Sequence, residues 1–322
     1  MRFAPPSPTP PGLARRVPPA IFPPIMGLFG LGLAWRRFGD LADLPAAVGE
    51  VILGGVTLLF LFALGAYGLK LARRPKVLVA DLAVLPGRLG VSALFANLYL
   101  LAAVLAPYAP ALTPVLILSA LVLHLGLMIL IARSVRAMPE GARLIHAGGH
   151  LYFSSPLVAA LAGAVAGQGQ VAGPLLGAST VVAAAIVLAD LVTLARGHRP
   201  PPPLRPLLAL HLSVMSVAGL AGAMMGWTAF AQTLAILSGL TLLGLALCAR
   251  WLTVAGFSAL WSAFTFPLAA TASFWLYLGG VWLWPGQGVL LAATGIVPAI
   301  AFRVLKLWAG GQLAVKTNAA SA

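Results

Sequence analysis

The sequence predicts an all-α integral membrane protein of ten transmembrane helices paired as five hairpins, the odd-numbered helices forming an inner ring. Three observations carry this reading. Of 322 residues, 61% are hydrophobic and only 8% charged, against roughly a quarter charged in a soluble domain. The apolar runs reach about 20 residues, the length of a bilayer-spanning helix and too long for alternating barrel strands. The basic residues fall in every second link between those runs. A mean hydropathy of +1.01 across the whole chain excludes one anchor on a soluble body.

Residues 1–17 are rich in proline and are expected to form a disordered cytoplasmic tail. Arg15 and Arg16 precede Pro18 and Pro19 with no small-residue cleavage site. They therefore read as a cytoplasmic anchor rather than an export signal. The membrane body takes residues 18–310, and residues 311–322 are expected to be a C-terminal cytoplasmic tail.

Ten spans are expected at about 20–36, 46–69, 86–106, 112–132, 150–167, 172–194, 204–225, 228–249, 258–279 and 287–308. The N-terminal tail holds Arg2, Arg15 and Arg16. The second-to-third link holds Lys70, Arg73, Arg74, Lys76 and Arg88. Arg133, Arg136 and Arg143 follow span 4, Arg196, Arg199 and Arg205 follow span 6, and Arg250 follows span 8. Arg303, Lys306 and Lys316 close the chain. Of the 20 Lys and Arg, only Arg36 and Arg37 fall on the other side. The asymmetry places both termini in the cytoplasm and requires an even number of spans. It also accounts for the net charge of +14 by topology, so no nucleic-acid partner is inferred.

Each pair of spans takes roughly 50 residues, and hairpins repeated in one orientation can ring a central axis parallel to the membrane normal, which does not by itself make a pore. The outer turn of each pair is short (APYAPALTP, AGQGQVAGP, GWTAF, WPGQG) and its inner link is longer and basic. Spans 4, 6 and 8 are mostly Leu, Val, Ile and Ala. The odd spans hold the helix breakers: Pro23, Pro24, Gly27, Gly30 and Gly32 in span 1, Pro156 in span 5, Gly219 and Gly222 in span 7, and Pro267 in span 9. They also hold Ser92, Asn97, Ser154, Ser155, Ser213, Ser216, Ser262, Thr265, Thr271 and Ser273. Broken helices with uncharged polar groups are tolerated where they face protein or a water-filled cavity, which assigns the odd spans to the inside. Small residues and hydroxyls that merely pack helices together are the alternative.

Three stretches resemble a known family. PPAIFPPIMGLFGLGLAW, with Pro18, Phe22, Gly27 and the ending Ala34-Trp35, is similar to the first helix of the tellurite-resistance and C4-dicarboxylate transporter family, which includes the plant guard-cell slow anion channels. LADLVTLARGHRPPPPLRPLLALHL resembles its helix 6 to helix 7 link, with Asp190 and Arg205-Pro206 in the corresponding places. FSALWSAFTFPLAATASFWL resembles its ninth helix through Trp261, Phe264, Thr265, Phe266 and Pro267. The similarity spans about residues 18–310. It departs from the family in lacking a proline within helix 3, an Asn-Phe in helix 5 and a mid-span proline in helix 7. The resemblance implies odd helices around a central pore, a homotrimer with one pore per subunit, and passage of small inorganic or carboxylate anions. It also implies that a helix-9 phenylalanine, by position Phe266, occludes the pore.

The residues themselves bear on that role. Phe266 lies near the middle of span 9, where an aromatic ring can close a narrow pore sterically and by excluding water. Pro267 is expected to open the local hydrogen-bond ladder and let the ring turn. A ring that only packs in the core is the commoner alternative, and Phe264 is read that way. Candidate pore-lining residues are Phe22, Ser92, Ser154, His211, Ser262 and Thr265. Arg88 and Arg205 are candidates for the inner mouth, either gathering anions there or only setting topology.

Asp190 lies inside a predicted span, near its cytoplasmic end, and is expected to pair with Arg196 or Arg205. The lack of midplane carboxylates, which proton-coupled carriers usually show, favours a passive path. His146 and His150 are four apart but separated by two glycines, and His124 and His211 read as lone, so no metal or haem site is expected. The single cysteine, Cys248, can form no internal disulfide. No phosphate loop, nucleophile triad or catalytic carboxylate pair is present, so no enzyme and no cofactor are expected. Passive anion conduction in a plasma (inner) membrane is the leading expectation. A secondary carrier for C4-dicarboxylates, or efflux of tellurite-like oxyanions, is the alternative.

Overall fold

The computed structural model describes residues 14–42, 47–137 and 146–322. The described residues are helical, with no strand among them. In chain order the helices are α1 (Phe22–Ala42), α2 (Ala47–Arg73), α3 (Val77–Ala83), α4 (Leu85–Leu105), α5 (Leu112–Arg136), α6 (Pro156–Val165), α7 (Gly169–Ala195), α8 (Leu210–Met224), α9 (Thr228–Leu247), α10 (Ala249–Leu252), α11 (Thr265–Leu278), α12 (Leu283–Ala309) and α13 (Gln312–Lys316).

Among the described residues, eight helical stretches are long and apolar enough to cross a membrane. Two of the ten expected spans do not reach that standard. His150–Val165 is apolar but short. Pro23, Pro24, Arg36 and Arg37 dilute the apolar character of α1. The tail expected at residues 1–17 lies mostly outside the described residues.

Burial separates the helices into two kinds. The stretches containing α4, α8 and α11 are 72–83% buried, whereas α2, α5, α7, α9 and the stretch containing α12 are 17–33% buried. Of the two shorter elements, α6 is buried from Pro156 to Gly163, and α1 buries Phe22, Ile25, Met26, Phe29 and Ala34. The buried helices touch one another in sequence: α1 on α4, α4 on α6, α6 on α8, α8 on α11 and α11 back on α1. Each also packs on the helix that follows it along the chain, apart from the short α3 and α10. The less buried helices turn Leu58, Phe62, Leu118, Leu123, Leu188, Leu240, Leu291 and Phe302 outward. Such faces would be costly in water and cost nothing against lipid tails.

Several buried helices begin with a turn that is not α-helical. Pro19–Ile21, Pro202–Ala209 and Ala259–Phe264 are 3-10 turns, and His150–Ser154 is a π turn. A proline lies in or just beyond each of them, because a missing N–H is tolerated where the i→i−4 ladder has not yet formed.

The basic links carry structure that composition did not announce. Lys70 and Asp81 form an ion pair at 2.8 Å, both side chains fully buried. Lys70 Nζ also donates to the carbonyl of Val17 at 2.9 Å, and the Tyr67 hydroxyl donates to Asp81 Oδ2 at 3.1 Å. The end of the chain docks here. The Ala320 amide donates to Asp81 Oδ1 at 2.9 Å, Arg74 Nη1 donates to the Ser321 carbonyl at 3.1 Å, and the Ala322 amide donates to the Arg15 carbonyl at 2.9 Å. Residues 311–322 hold α13 and this strap.

Close approach explains one glycine. A Cβ built on Gly90 of α4 would stand 2.2 Å from the backbone carbon and oxygen of Pro19. Backbone cannot step aside as a side-chain tip can, so Gly90→Ala is expected to cost about 1–3 kcal/mol. A lower thermal midpoint of the detergent-purified protein measures this, and an unchanged midpoint would disprove the packing argument.

Candidate functional site

The site is built around the start of α11. Ala259–Phe264 is a 3-10 turn and the α-helix begins at Thr265. Pro267 therefore sits in the first turn of α11, where its missing N–H leaves few bonds unmade. The kink expected in mid-helix is instead a junction between two helix types, and Phe266 emerges from it.

Two cavities meet at this ring. A larger one, about 220 Å³, is lined by Gly30, Leu33, Leu100, Val217 and Ala270 and reaches Arg36, Arg37 and Asp40. A smaller one, about 40 Å³, is lined by Pro23, Met26, Leu151, Ser213 and Ser262. Phe266 is the one described residue common to both linings, and it is 4% exposed. The ring lies against Gly30 of α1, where a built Cβ would stand 3.1 Å from its Cδ2 and 3.0 Å from Ala269 Cβ. Any larger side chain at 30 would press on the ring.

The polar groups at the two ends differ. Beside the larger cavity, Arg36 forms a two-pronged pair with Glu50, Nε–Oε1 at 2.6 Å and Nη2–Oε2 at 3.0 Å, and also donates to the Val104 carbonyl at 3.2 Å. Arg37 lies over the Tyr277 ring at 4.9 Å. The smaller cavity has hydroxyls and no charge in its lining. Ser262 Oγ is buried there with no hydrogen-bond partner among the described residues.

Beside the smaller cavity runs a buried hydrogen-bonded chain. Asp190 Oδ2 accepts from His211 Nε2 at 2.9 Å. His211 Nδ1 meets His150 Nε2 at 2.9 Å, and His150 Nδ1 meets Ser154 Oγ at 3.1 Å. His150 and Ser154 line a further cavity of about 20 Å³ with Met26, Leu151, Leu210, Ser213 and Val217. The first four of these apolar and hydroxyl neighbours also line the smaller cavity, and Val217 lines the larger one.

Some expected residues stand in these linings and others do not. Phe266, Ser262 and Ser154 line cavities. Phe22 does not: it is fully buried, edge-on to Phe60 at 6.2 Å and to Tyr67 at 5.9 Å, facing α2. Ser92 and Thr265 are fully buried and line none of these cavities; Thr265 Oγ1 donates to the Ser262 carbonyl at 2.7 Å. Pro267 lines a separate apolar crevice with Leu242, Ile296 and Ile300, away from Phe266's cavities.

His211 is not lone, since its two ring nitrogens are taken by Asp190 and His150, and it lines none of the three cavities described. Asp190 accordingly pairs with this histidine rather than with Arg196 or Arg205. Arg205 donates to the carbonyls of Pro200 and Trp251 and stacks over Trp251 at 4.2 Å, and Arg88 Nη1 reaches the Leu82 and Ala83 carbonyls. Both hold link structure, and neither lines a cavity described above. His146 is not a partner of His150: its Nδ1 accepts from the Gly148 amide at 3.0 Å. Burial pushes His146 below the usual imidazole range, while Asp190 pulls the other way.

The histidine pair was not legible in the sequence, since 61 residues separate its members. It is not a metal site. A tetrahedral metal between two imidazoles would hold their nitrogens about 3.3 Å apart with the ion between them, whereas these two meet directly at hydrogen-bond distance, 2.9 Å. Among the described residues no group of three His, Cys, Asp or Glu could hold an ion. Arg36 and Arg37 were also missed as site residues, because the charge pattern assigned them to topology alone.

Comparison with known proteins closes the description. No curated protein matches the chain. The family model described as voltage-dependent anion channel matches residues 16–307. That family takes in the tellurite-resistance and C4-dicarboxylate transporters and the plant slow anion channels. The match runs from the first 3-10 turn almost to the end of α12, covering both cavities, the junction at Phe266 and the helices that line them. On that coverage, the chain belongs to the voltage-dependent anion channel family.

Proposed function

We propose that this protein conducts small anions passively along a path through the two cavities, occluded at rest by Phe266. The observation that supports the reading best is that this one ring lines both cavities. In this proposal ten spans form five hairpins with cytoplasmic termini, and α1, α4, α6, α8 and α11 surround the path. The closed sequence of contacts among those helices supports the arrangement. Family membership supports anions as the cargo. A homotrimer with one path per subunit belongs to the same proposal.

Conduction would be driven by concentration and voltage. Lining hydroxyls such as Ser213 and Ser262 donate hydrogen bonds to a partly dehydrated anion. Arg37 at the far mouth carries positive charge with no carboxylate pairing it among the described residues, and so concentrates anions there. Purified protein in liposomes is expected to pass chloride or nitrate under a voltage with equal pH on both sides. Flux that appears only with an imposed pH gradient would favour the coupled carrier of C4-dicarboxylates or tellurite-like oxyanions. The titratable chain through His150 is the observation that keeps that second reading in view.

A further inference from the structure

We propose that His150 and His211 form a proton-binding site whose proton puts a positive charge beside the path, so that proton and anion each favour the other's binding. The proposal rests on the reading of that path as an anion route.

The hydrogen-bond pattern fixes where protons sit. An ionised Asp190 can only accept, so His211 carries its proton on Nε2 and, when neutral, offers Nδ1 as an acceptor. His150 must then donate from Nε2, which leaves its own Nδ1 as an acceptor. Ser154 has one hydroxyl proton and two acceptors in reach, His150 Nδ1 at 3.1 Å and the His150 carbonyl at 3.0 Å. It can satisfy only one.

A further proton on His150 Nδ1 removes that conflict. Nδ1–H donates to Ser154 Oγ, and the hydroxyl donates to the carbonyl. Every contact is used and no heavy atom moves. The carboxylate of Asp190 balances the added charge across the two imidazoles. The chain is thus arranged with its negative end on α7 and its positive end on the cavity.

The surroundings give this charge a use. His150 is 3% exposed, and its cavity shares Ser213 with the smaller path cavity. Among the described residues, α4, α5, α7 and α8 pack against its turn. The titratable groups facing it are Asp190 of α7, His211 of α8, Arg88 of α4 and His124 of α5, with His146 and Tyr152 on its own segment. Arg88 is engaged with the Leu82 and Ala83 carbonyls, and His124 Nδ1 is bonded to the Tyr99 hydroxyl at 3.1 Å. Neither lines the cavity. A protonated His150 would put positive charge into a cavity lining that holds no Lys, Arg, Asp or Glu. Linkage then requires that an anion there raises proton affinity by the same factor that the proton raises anion affinity.

The test is proton uptake by the full chain, purified in detergent in weak buffer and stepped downward in pH from about 7, on addition of sodium nitrate at each step. Uptake approaching roughly one proton per chain is expected, with nitrate affinity rising about tenfold as pH falls by one to two units. His150→Gln should abolish the uptake. Asp190→Asn, which keeps the shape and removes the counter-charge, should move it to lower pH. Wild-type protein that takes up no proton with nitrate, or His150→Gln that takes up as much as wild type, overturns the proposal. Liposome flux measured in parallel separates the two claims: uptake without flux keeps the site and removes conduction, and flux without uptake does the reverse.

Discussion

Phe266→Ala is expected to raise anion current by about tenfold or more, which corresponds to about 1.4 kcal/mol off the barrier to permeation. The ring lines both a cavity of about 220 Å³ and one of about 40 Å³. Its removal joins them and lets water follow, which ends the exclusion that an aromatic constriction provides. The variant also separates two roles for the ring. A phenylalanine packed on all sides loses about 3–5 kcal/mol on truncation to alanine. A ring with open space on both sides loses less, because fewer contacts are given up. Bilayer recordings and thermal unfolding on the same preparation therefore decide between them. Raised current with a modest fall in thermal midpoint supports the gate. A large fall in midpoint with current at or below the wild-type level would show that the ring only packs.

Asp81→Asn is expected to destabilise the protein by about 3 kcal/mol or more, since removing one partner of a buried ion pair leaves the other charge unpaired. Asparagine keeps the shape and can still accept from the Ala320 amide, so the loss reports the Lys70 ammonium, whose side chain is fully buried. Pairing the substitution with Lys70→Met should recover most of that loss, because a well-packed apolar pair often matches a buried ion pair. Limited proteolysis of residues 317–322 gives a second readout, as Asp81 and Arg74 tether this stretch to α3 and the end of α2. If Asp81→Asn unfolds at the wild-type temperature and leaves the tail protected, the cluster contributes nothing to stability.

Fold legibility followed the range of the interactions. Apolar run length and the placement of Lys and Arg are local properties, set by the bilayer's thickness and by the charge of the links. They located a helical element close to every expected span. Pro267 was legible as a breaker, but its effect depends on its place in the helix. In the first turn of α11 it forms a junction rather than a mid-helix kink. Phe22 illustrates the opposite limit. Its neighbours along the chain say nothing about Phe60 or Tyr67, so its burial toward α2 was hidden.

By itself the sequence determined that this is a helical membrane protein, that its basic residues cluster in links between apolar runs, and that span 9 carries the distinctive aromatic string. Those features follow from composition and spacing along one chain. Only the tertiary structure decided that Phe266 stands between two cavities, that Asp190 answers to His211 rather than to an arginine, and that His150 completes the chain to Ser154. The physical reason is distance along the chain. Side chains 21 and 61 residues apart meet only after separate helices have packed, and a buried polar group takes whichever partner that packing brings within hydrogen-bond reach.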